Sequence, residues 1–378
     1  MILLTSVPFH RPSLEEEDIA AVAGSLRSGW LTSGPEVAAF ETEFASFVRS
    51  PHALALNSGT AALHLALAVA GIGPGDEVLL PVNTFAATAE VIVHLGATPV
   101  FCDILPTLNM DPAEVERKLT PRSRVLLPVH IAGQPSDLAA LRDLARRHHL
   151  WVIEDAAHAL PARFGDDWIG GISDCVCFSF YATKTLTTCE GGMLTTPHAD
   201  WAARARRLAR HGMAPAASSA LAWNYEVLEP GYKYNLADPL AALGRAQLRR
   251  QMELWQKRKN LAAEYIRHLS GCPEVQFPES HPQAQSACHL MIVLLNLGKI
   301  SWTREAVSRR MRELGVETSV HFKPLHQHPW YRRKYHLREE DFPRASRLCA
   351  RCLSLPLYPG LSASDQDHVV KALQAACA

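Results

Sequence analysis

FSFYATK, residues 178 to 184, is the stretch of sequence that decides the fold. Its first half continues an alternation that begins at Val176, with large apolar side chains at every second position, as in a β-strand. The alternation stops in a loop of small and polar residues that carries a single lysine, Lys184. Because ligands of α/β sheets bind at the carboxyl ends of strands, this lysine is a candidate functional residue.

The same rhythm extends on both sides of this segment. From about residue 53 to residue 200, short apolar runs alternate with helical stretches rich in Ala, Leu and Arg, and Gly or Pro-Gly breaks separate them. The pattern predicts a mostly parallel sheet covered by helices. The predicted strands are 53–56, 77–80, 98–102, 125–129, 150–153, 175–180 and 192–195, and the predicted helices are 61–70, 86–95, 137–148 and 200–210.

The last third of the chain reads differently. A polar, proline-bearing stretch, 211–231, predicts a long loop, and 238–268 predicts one long helix. The remainder of the chain, with a predicted helix over 303–314 and the segment 316–320, indicates a smaller α+β unit. We therefore predict a large domain over residues 1–250, which includes the N-terminal segment, and a small C-terminal domain over residues 251–378.

The bulk composition argues against nucleic-acid and membrane partners. The chain has 378 residues, and its 38 lysines and arginines balance 38 aspartates and glutamates, so no basic footprint for a phosphate backbone is indicated. Its longest apolar stretches are too short or too interrupted to span a bilayer. The length itself favours two domains.

The N-terminus and the cysteines indicate a cytoplasmic protein. MILLTSVPFHRPS has no basic residue before its short apolar run and does not fit a signal peptide. Nine cysteines, an odd number, fit reduced thiols better than disulfides. Cys349 and Cys352 have dithiol or zinc spacing but no second pair, and the histidines lack companions at ligand spacing, so no metal site is predicted.

Two of the predicted strand ends offer a phosphate seat and an aromatic ring. After the first strand, Ser58 can cap the next helix, while Gly59 and Thr60 can bring backbone amides close to a phosphate. An ordinary capped helix explains these residues equally well on their own. After the strand at 77–80 comes Phe85, which could stack on a flat ligand or simply fill the core.

Two further strand ends offer a carboxylate and the lysine. Asp155 and His158 follow a run that must be buried between helices, and a buried carboxylate needs a partner. A salt bridge or a helix cap is the alternative for Asp155 taken alone. The fourth end is the opening segment, with Ser179 and Lys184.

Together these groups are the ones that pyridoxal 5'-phosphate (PLP) needs. Lys184 would bond to the aldehyde, since desolvation or nearby positive charge can lower the pKa of its amine. Asp155 would hold the pyridine nitrogen protonated, and Phe85 would cover one face of the ring. Backbone amides and hydroxyls at Gly59, Thr60 and Ser179 would bind the phosphate.

The order of these motifs resembles the DegT/DnrJ/StrS family of PLP-dependent sugar aminotransferases, which have the aspartate-aminotransferase fold (PLP fold type I). The motifs are SGT (58–60), NTF (83–85), EDAAHA (154–159), FSFYATK (178–184) and EGG (190–192). Further matching stretches are SGWLTSGP (28–35), PVHIAGQP (128–135) and HFKPLH (321–326), so the resemblance covers nearly the whole chain. It implies an α/β large domain with a mostly parallel seven-stranded sheet and a smaller α+β C-terminal domain.

The resemblance implies a role for each matching residue. Lys184 is the catalytic Schiff-base lysine, Asp155 the partner of the pyridinium nitrogen, Phe85 the stacking ring and His158 a neighbour of the cofactor. The implied phosphate site consists of Ser58, Gly59, Thr60 and Ser179, with Asn235 donated by the neighbouring subunit of a homodimer whose active sites are shared. The residues implied to line the sugar and nucleotide cleft are Thr32, Ser33, Glu190, His321 and His326.

One position departs from the family pattern. Thr185 follows the lysine where family members commonly have asparagine, so a hydrogen bond near the Schiff base is expected to differ. The lysine itself is retained, which argues against the family's dehydratase branch, where histidine replaces it.

The resemblance implies a ping-pong reaction in which L-glutamate gives up its amino group, 2-oxoglutarate leaves, and a keto-sugar nucleotide accepts the amine. GYKYNLADPLAALG (231–244) and HFKPLHQHPWYR (321–332) are similar to the UDP-4-amino-4-deoxy-L-arabinose aminotransferase subgroup. A UDP-linked 4-keto sugar is therefore the expected acceptor, in polysaccharide or lipopolysaccharide biosynthesis.

Two alternatives stay open. One is a PLP-dependent lyase that acts on an amino acid on the same fold. The other is a non-catalytic regulator that binds the cofactor, which would need an appended DNA-binding domain, and the residues before the SGWLTSGP motif leave no room for one.

Overall fold

A computed structural model describes residues 6–215 and 223–378. The helices are α1 (Glu16–Ser28), α2 (Pro35–Val48), α3 (Gly59–Val69), α4 (Ala86–His94), α5 (Pro112–Lys118), α6 (Leu138–His148), α7 (Ala199–Leu208), α8 (Asp238–Arg249), α9 (Gln251–Leu269), α10 (Arg304–Glu313), α11 (Pro329–Tyr335), α12 (Pro343–Cys349) and α13 (Ala363–Cys377). The strands are β1 (His52–Leu56), β2 (Glu77–Pro81), β3 (Thr98–Cys102), β4 (Ser123–Leu126), β5 (Trp151–Asp155), β6 (Arg163–Phe164), β7 (Asp167–Trp168), β8 (Cys175–Ser179), β9 (Gly192–Thr196), β10 (Met213–Pro215), β11 (Tyr225–Val227), β12 (Val275–Gln276), β13 (Ala284–Gln285), β14 (Met291–Leu295) and β15 (Cys352–Leu355).

A seven-stranded sheet forms the centre of the molecule, in the order β1-β9-β8-β5-β4-β2-β3. All neighbouring pairs are parallel except the two that involve β9, which runs antiparallel to β1 and β8. Every strand of this sheet was predicted from its apolar run, and the mostly parallel seven-stranded sheet confirms the predicted fold class. Helices cover both faces, and α3, which is apolar except for Thr60 and His64, is largely buried among them.

The strand predicted over 125–129 is shorter in the structure, and a proline accounts for the difference. β4 ends at Leu126, two positions before Pro128, which has no N–H to donate to a ladder. Beyond it the chain stays close to β5, because Val129 makes an isolated parallel bridge with Asp155 and the Asp155 N–H donates to the Pro128 carbonyl at 2.9 Å.

The single helix predicted over 238–268 is wrong, because the chain breaks it into α8 and α9 at Arg250. The Arg250 guanidinium donates to Asp18 Oδ2 at 2.6 Å and to the Ser13 carbonyl at 3.2 Å. These contacts tie the break to the N-terminal segment. As a result α8 packs on α1 and α2, while α9 leads into the second core.

The C-terminal part builds a second, smaller core on the antiparallel sheet β12-β14-β15. Val7 from the N-terminal segment is buried in this core. The segment 316–320 adds no strand to this sheet: Val316 bridges to Val7 and Ser319 bridges to Ser354, so the segment changes partners instead of forming one ladder. The division of the chain at residue 250 stays a prediction.

Part of the predicted loop over 211–231 is an antiparallel pair of short strands, β10 and β11. Residues 216–222 of that prediction lie outside the described residues. Among the residues that the structure describes, no helix combines the length and the apolar character needed to cross a bilayer.

Candidate active site

The carboxyl ends of β1, β2, β5 and β8 meet at one edge of the large sheet, where they border a cavity of about 350 Å³. The cavity gathers most of the residues singled out in the sequence. Those on its lining are Ser58, Gly59, Thr60, Phe85, Asp155, His158, Ser179, Lys184, Glu190 and His321. The small core and the N-terminal segment close the other side, with His10, His289, Phe322 and Leu357 among the lining residues.

Lys184 lies in the loop that connects β8 to β9. Two main-chain bonds shape this loop: the Lys184 N–H donates to the Tyr181 carbonyl at 2.9 Å, and the Thr188 N–H donates to the Phe180 carbonyl at 3.0 Å. Burial lowers the pKa of Lys184 to about 8, although the carboxylate of Asp155 acts in the opposite direction. The side chain therefore supplies more neutral, nucleophilic amine near neutral pH than an ordinary lysine.

This shift gives a pH prediction for cofactor uptake. Only the unprotonated amine attacks an aldehyde, so the rate at which apoenzyme takes up PLP should rise with pH and be half-maximal near pH 8, the pKa of Lys184. At pH 7 the rate should be roughly tenfold below its plateau, because about one amine in ten is then neutral. Stopped-flow absorbance of apoenzyme mixed with PLP measures this rate. A midpoint near the ordinary lysine value of 10.5 would contradict the assigned environment.

Asp155 ends β5 and is buried at the base of the cavity. Its Oδ2 accepts a hydrogen bond from Thr88 Oγ1 at 2.7 Å, and its Oδ1 accepts one from the Ala157 N–H at 3.1 Å. Burial raises the pKa of Asp155, and the Thr88 hydrogen bond, the Ala157 amide and Lys184 only partly offset this effect. Each oxygen retains acceptor capacity, so a cationic N–H of a bound ring would stabilise the charged carboxylate.

The loop after β1 has the properties of a phosphate-binding site. Ser58 Oγ accepts a hydrogen bond from the Ala61 N–H at 3.0 Å and caps α3. The first-turn amides of α3 and the Thr60 side chain face the cavity edge, where an anion gains from the helix N-terminus. A Cβ on Gly59 would lie 2.9 Å from the Ser179 Cβ, so the close approach of these two segments requires glycine.

Gly59→Ala is therefore expected to weaken PLP binding by about tenfold, since the added methyl pushes the Ser179 segment away from the seat. The measurement is the dissociation constant of PLP from absorbance titration of apoenzyme. Gly73→Ala is the matched control, because nothing lies within 4 Å of the Cβ it would add. Equal constants for Gly59→Ala and the wild type would contradict a phosphate at this loop.

His158 and His321 line the cavity as neutral imidazoles. Burial, Lys184 and His321 hold the pKa of His158 well below its usual range, and burial with Lys184 lowers the pKa of His321 to about 4. The His158 ring stacks on Phe322 with centroids 5.7 Å apart, and its Nδ1 has no partner among the described residues. His321 Nδ1 shares a hydrogen bond of 2.9 Å with Ser354 Oγ.

Phe85 and Glu190 lie at the open side of the cavity. Phe85 is 60% exposed, and its ring contacts Phe322 with centroids 5.9 Å apart. Its exposure argues against the interpretation of Phe85 as a core residue and leaves a ring face for a flat ligand. Glu190 is exposed at the end of the lysine loop.

The remaining residues singled out in the sequence do not line the cavity of one chain. Asn235 Nδ2 donates to Ser33 Oγ at 2.9 Å, Ser33 Oγ donates to the Leu236 carbonyl at 2.6 Å, and Thr32 is exposed nearby. His326 is buried instead, where its Nε2 shares a hydrogen bond of 3.0 Å with Ser346 Oγ. A cleft role for His326 is therefore not supported by its position.

Thr185, the departure from the family pattern, has a defined partner. Its buried hydroxyl donates to the Leu160 carbonyl and ties the lysine loop to the segment after Asp155. Sequence reasoning missed several other lining residues, namely His10, Thr88, His289 and Phe322. Thr88 alone had a local signal, since it lies in the first turn of the helix that follows Phe85 and faces the same strand ends.

The fold and the cavity agree with comparisons to known proteins. The model of the DegT/DnrJ/EryC1/StrS aminotransferase family matches residues 12–374. The chain is 45% identical to the spore coat polysaccharide biosynthesis protein SpsC of Bacillus subtilis (strain 168) over 374 residues, which cover 97% of this chain and 96% of that protein.

Solved structures give the same result. Spr1654 of Streptococcus pneumoniae, in its PMP form, superposes with a TM-score of 0.93 at 30% identity, over 98% of this chain and 99% of that one, and it has also been solved in a PLP form. Helicobacter pylori PseC, an aminotransferase involved in the biosynthesis of pseudoaminic acid, superposes with a TM-score of 0.93 at 26% identity, over 99% of both chains.

Proposed function

Because this chain belongs to the DegT/DnrJ/EryC1/StrS aminotransferase family, whose members are PLP-dependent sugar aminotransferases, we propose that it transfers the amino group of L-glutamate to a keto-sugar nucleotide. The cofactor is PLP. The observation that carries the proposal is the meeting of the Lys184 amine, the Asp155 carboxylate and the N-terminus of α3 around one cavity. These groups fit an aldehyde, a ring nitrogen and a phosphate, respectively.

When bound, PLP supplies an electrophilic aldehyde and a cationic ring that stabilises negative charge on the carbon next to the transferred amine. Lys184 would hold the aldehyde, and its released Nζ would take up and return the proton of that carbon as general base and acid. Its lowered pKa, about 8, suits both directions of transfer near neutral pH. Asp155 would hold the ring nitrogen protonated with the oxygens that Thr88 and Ala157 orient.

The neutral histidines have a different duty. Because burial and Lys184 lower the pKa values of His158 and His321, both imidazoles are neutral near neutral pH and add no positive charge to the cavity. His158 offers a hydrogen bond beside the lysine, and its contact with Phe322 fixes the ring. Phe85 and Phe322 form an apolar cover that limits water at the reacting carbon.

The leading acceptor is a UDP-linked 4-keto sugar, on the strength of the stretches GYKYNLADPLAALG (231–244) and HFKPLHQHPWYR (321–332). The similarity to SpsC, a spore coat polysaccharide biosynthesis protein, and to PseC, which acts in pseudoaminic acid biosynthesis, favours a role in making an amino sugar for a surface polysaccharide or related glycan. We also propose a cytoplasmic location, which the nine free thiols support.

A homodimer with shared active sites is part of the proposal. The segment after residue 222 exposes Trp223, Tyr225, Val227 and Leu228, each more than half exposed, which is unusual for large apolar side chains and favours burial against a second copy. Asn235 lies beside the end of β1, since it bridges to Leu56. From there it could serve the phosphate seat of a neighbouring subunit.

The proposal is tested in two steps. Purified holoenzyme should absorb at about 410–430 nm, and L-glutamate should shift the band toward about 330 nm with release of 2-oxoglutarate. A panel of UDP- and dTDP-linked 3-keto and 4-keto sugars should then restore the first band and yield the amino sugar. Holoenzyme that leaves its band unchanged with glutamate, but converts another amino acid with release of ammonia, would favour a lyase.

A further inference from the structure

Arg258, on α9, is a buried guanidinium without a carboxylate partner. The residue is 2% exposed. Its Nη1 donates a hydrogen bond to the Leu357 carbonyl at 2.9 Å and a longer one to the His289 carbonyl at 3.3 Å. Its Nε has no hydrogen-bond partner among the described residues. Over residues 6–215 and 223–378, the guanidinium forms no salt bridge with a carboxylate, and burial is the main influence on its lowered pKa. A buried charge without a counterion is unfavourable unless a ligand completes it.

Arg258 lies directly behind the wall of the active-site cavity. Both carbonyls that it binds belong to residues on the lining, His289 and Leu357. His10, on the same lining, is close enough for the positive charge of Arg258 to contribute to its lowered pKa, after burial. The Arg258 side chain thus lies behind the residues that line the cavity and does not line it itself.

The part of the cavity wall formed by His10, His289 and Leu357 has features that favour an anionic ligand. The nitrogens His289 Nδ1 and His10 Nε2 have no hydrogen-bond partner in the described part of the chain, and His289 is 5% exposed. The lining has two carboxylates, Asp155 and Glu190, of which Asp155 is engaged by Thr88 and Glu190 is exposed at the edge. The positive charge behind His10 and His289 therefore has no compensating negative charge from the wall itself.

We propose that Arg258 is a specificity-determining residue, whose buried and unpaired charge makes the wall of His10, His289 and Leu357 select an amino donor with a second carboxylate. The inference rests on the proposed function and adds the group that distinguishes glutamate from neutral amino acids. L-glutamine has nearly the same shape as L-glutamate but lacks one negative charge. The ratio of the apparent affinities for these two donors therefore isolates the effect of a single carboxylate.

The test measures the donor half-reaction of holoenzyme by stopped-flow absorbance, with glutamate and glutamine in turn. In Arg258→Met the ratio of apparent affinities for glutamate over glutamine should fall at least about tenfold, since a charge in a medium of effective dielectric near 20 acts over several ångströms. The rate constant at saturation should change less than about threefold. Arg258→Lys, which keeps a charge, should retain most of the ratio.

A matched control removes a neighbouring cation that does not face the cavity. Lys259 packs its ammonium on Trp255 at 4.0 Å, so Lys259→Met should leave the ratio unchanged. Equal losses of affinity for both donors in Arg258→Met, or weakened PLP binding with an unchanged ratio, would overturn the proposal. Weakened PLP binding with an unchanged ratio would indicate that the charge of Arg258 acts on the cofactor phosphate instead of the amino donor.

A measurement on wild-type holoenzyme keeps the proposal testable if Arg258→Met does not fold. Calorimetry should show that glutarate binds at least about tenfold more tightly than glutaramate, which replaces one carboxylate by an amide. Equal binding of the two would overturn the proposal. Wild-type enzyme that prefers glutarate but converts neither glutamate nor glutamine would disprove the proposed function and leave the charge selectivity of the wall standing.

Discussion

Lys184→Ala is expected to lower amino transfer by at least about 10³-fold, because one side chain both anchors the aldehyde and moves the proton. The variant should also lack the absorbance at about 410–430 nm that covalent attachment of PLP produces, and dialysis should remove the PLP that it binds non-covalently. The measurements are single-turnover rates with glutamate and the fraction of PLP retained after dialysis.

Lys184→Arg distinguishes the effect of a positive charge at this position from the effect of a nucleophilic amine. Arginine keeps a cation in the cavity but is not deprotonated near neutral pH, so it should be as inactive as the alanine variant. Addition of a small primary amine should restore part of the proton transfer in Lys184→Ala and none in Lys184→Arg, because only the alanine variant leaves space for it. Turnover within tenfold of the wild type in either variant would exclude Lys184 as the catalytic lysine.

The central sheet could be predicted because most positions of its strands are buried on both faces, which gives short, predominantly apolar runs. The predicted strand at 98–102 coincides with β3, and the others end within a few residues of the observed positions. Strand order was not predictable from these runs, since nothing local distinguishes the pairing of β9 with β1 and β8. The position of the cavity could be predicted from the parallel direction of the strands alone, because their carboxyl ends meet at one edge of the sheet.

The errors have long-range causes. The 238–268 stretch has a helical composition throughout, and the break at Arg250 coincides with hydrogen bonds to Asp18, 232 positions earlier in the chain. The segment 316–320 has β-branched residues that favour an extended chain, but its partners are split between Val7 and Ser354, which lie at opposite ends of the sequence. Local propensity carries no information about such contacts.

The same distinction applies to the site. Ser58, Asp155 and Lys184 each lie within four residues of the end of an apolar run, so a local pattern points to them. Arg258 and His289 contribute from the C-terminal part of the chain, where they stand in ordinary surroundings and only burial reveals them. The mutual contacts of such residues, and not their neighbours in sequence, make them functional candidates.

Asp155→Asn should reduce the half-reaction with glutamate by about 10²-fold, because it replaces a charge-assisted contact, worth about 1.5–3 kcal/mol, with a neutral one. Asparagine can accept the hydrogen bond from the Ala157 amide with its Oδ1 and donate from its Nδ2 to Thr88 Oγ1, so the fold of the variant should be preserved. The loss should appear in the rate constant at saturating glutamate and much less in the affinity for glutamate. Stopped-flow absorbance separates the two quantities.

The control for Asp155→Asn is an aspartate at the opposite end of the same sheet. Asp174 precedes β8 at its amino end, where it accepts a hydrogen bond from the Val152 N–H at 2.9 Å and pairs with His198 at 3.0 Å. Asp174→Asn should leave the half-reaction rate within about threefold of the wild type, since it lies far from the carboxyl ends that hold the cavity. If both variants lose activity equally, the loss reflects general damage to the sheet. If Asp155→Asn keeps full activity, the ring nitrogen does not depend on this carboxylate, and the proposed chemistry of the cavity is wrong.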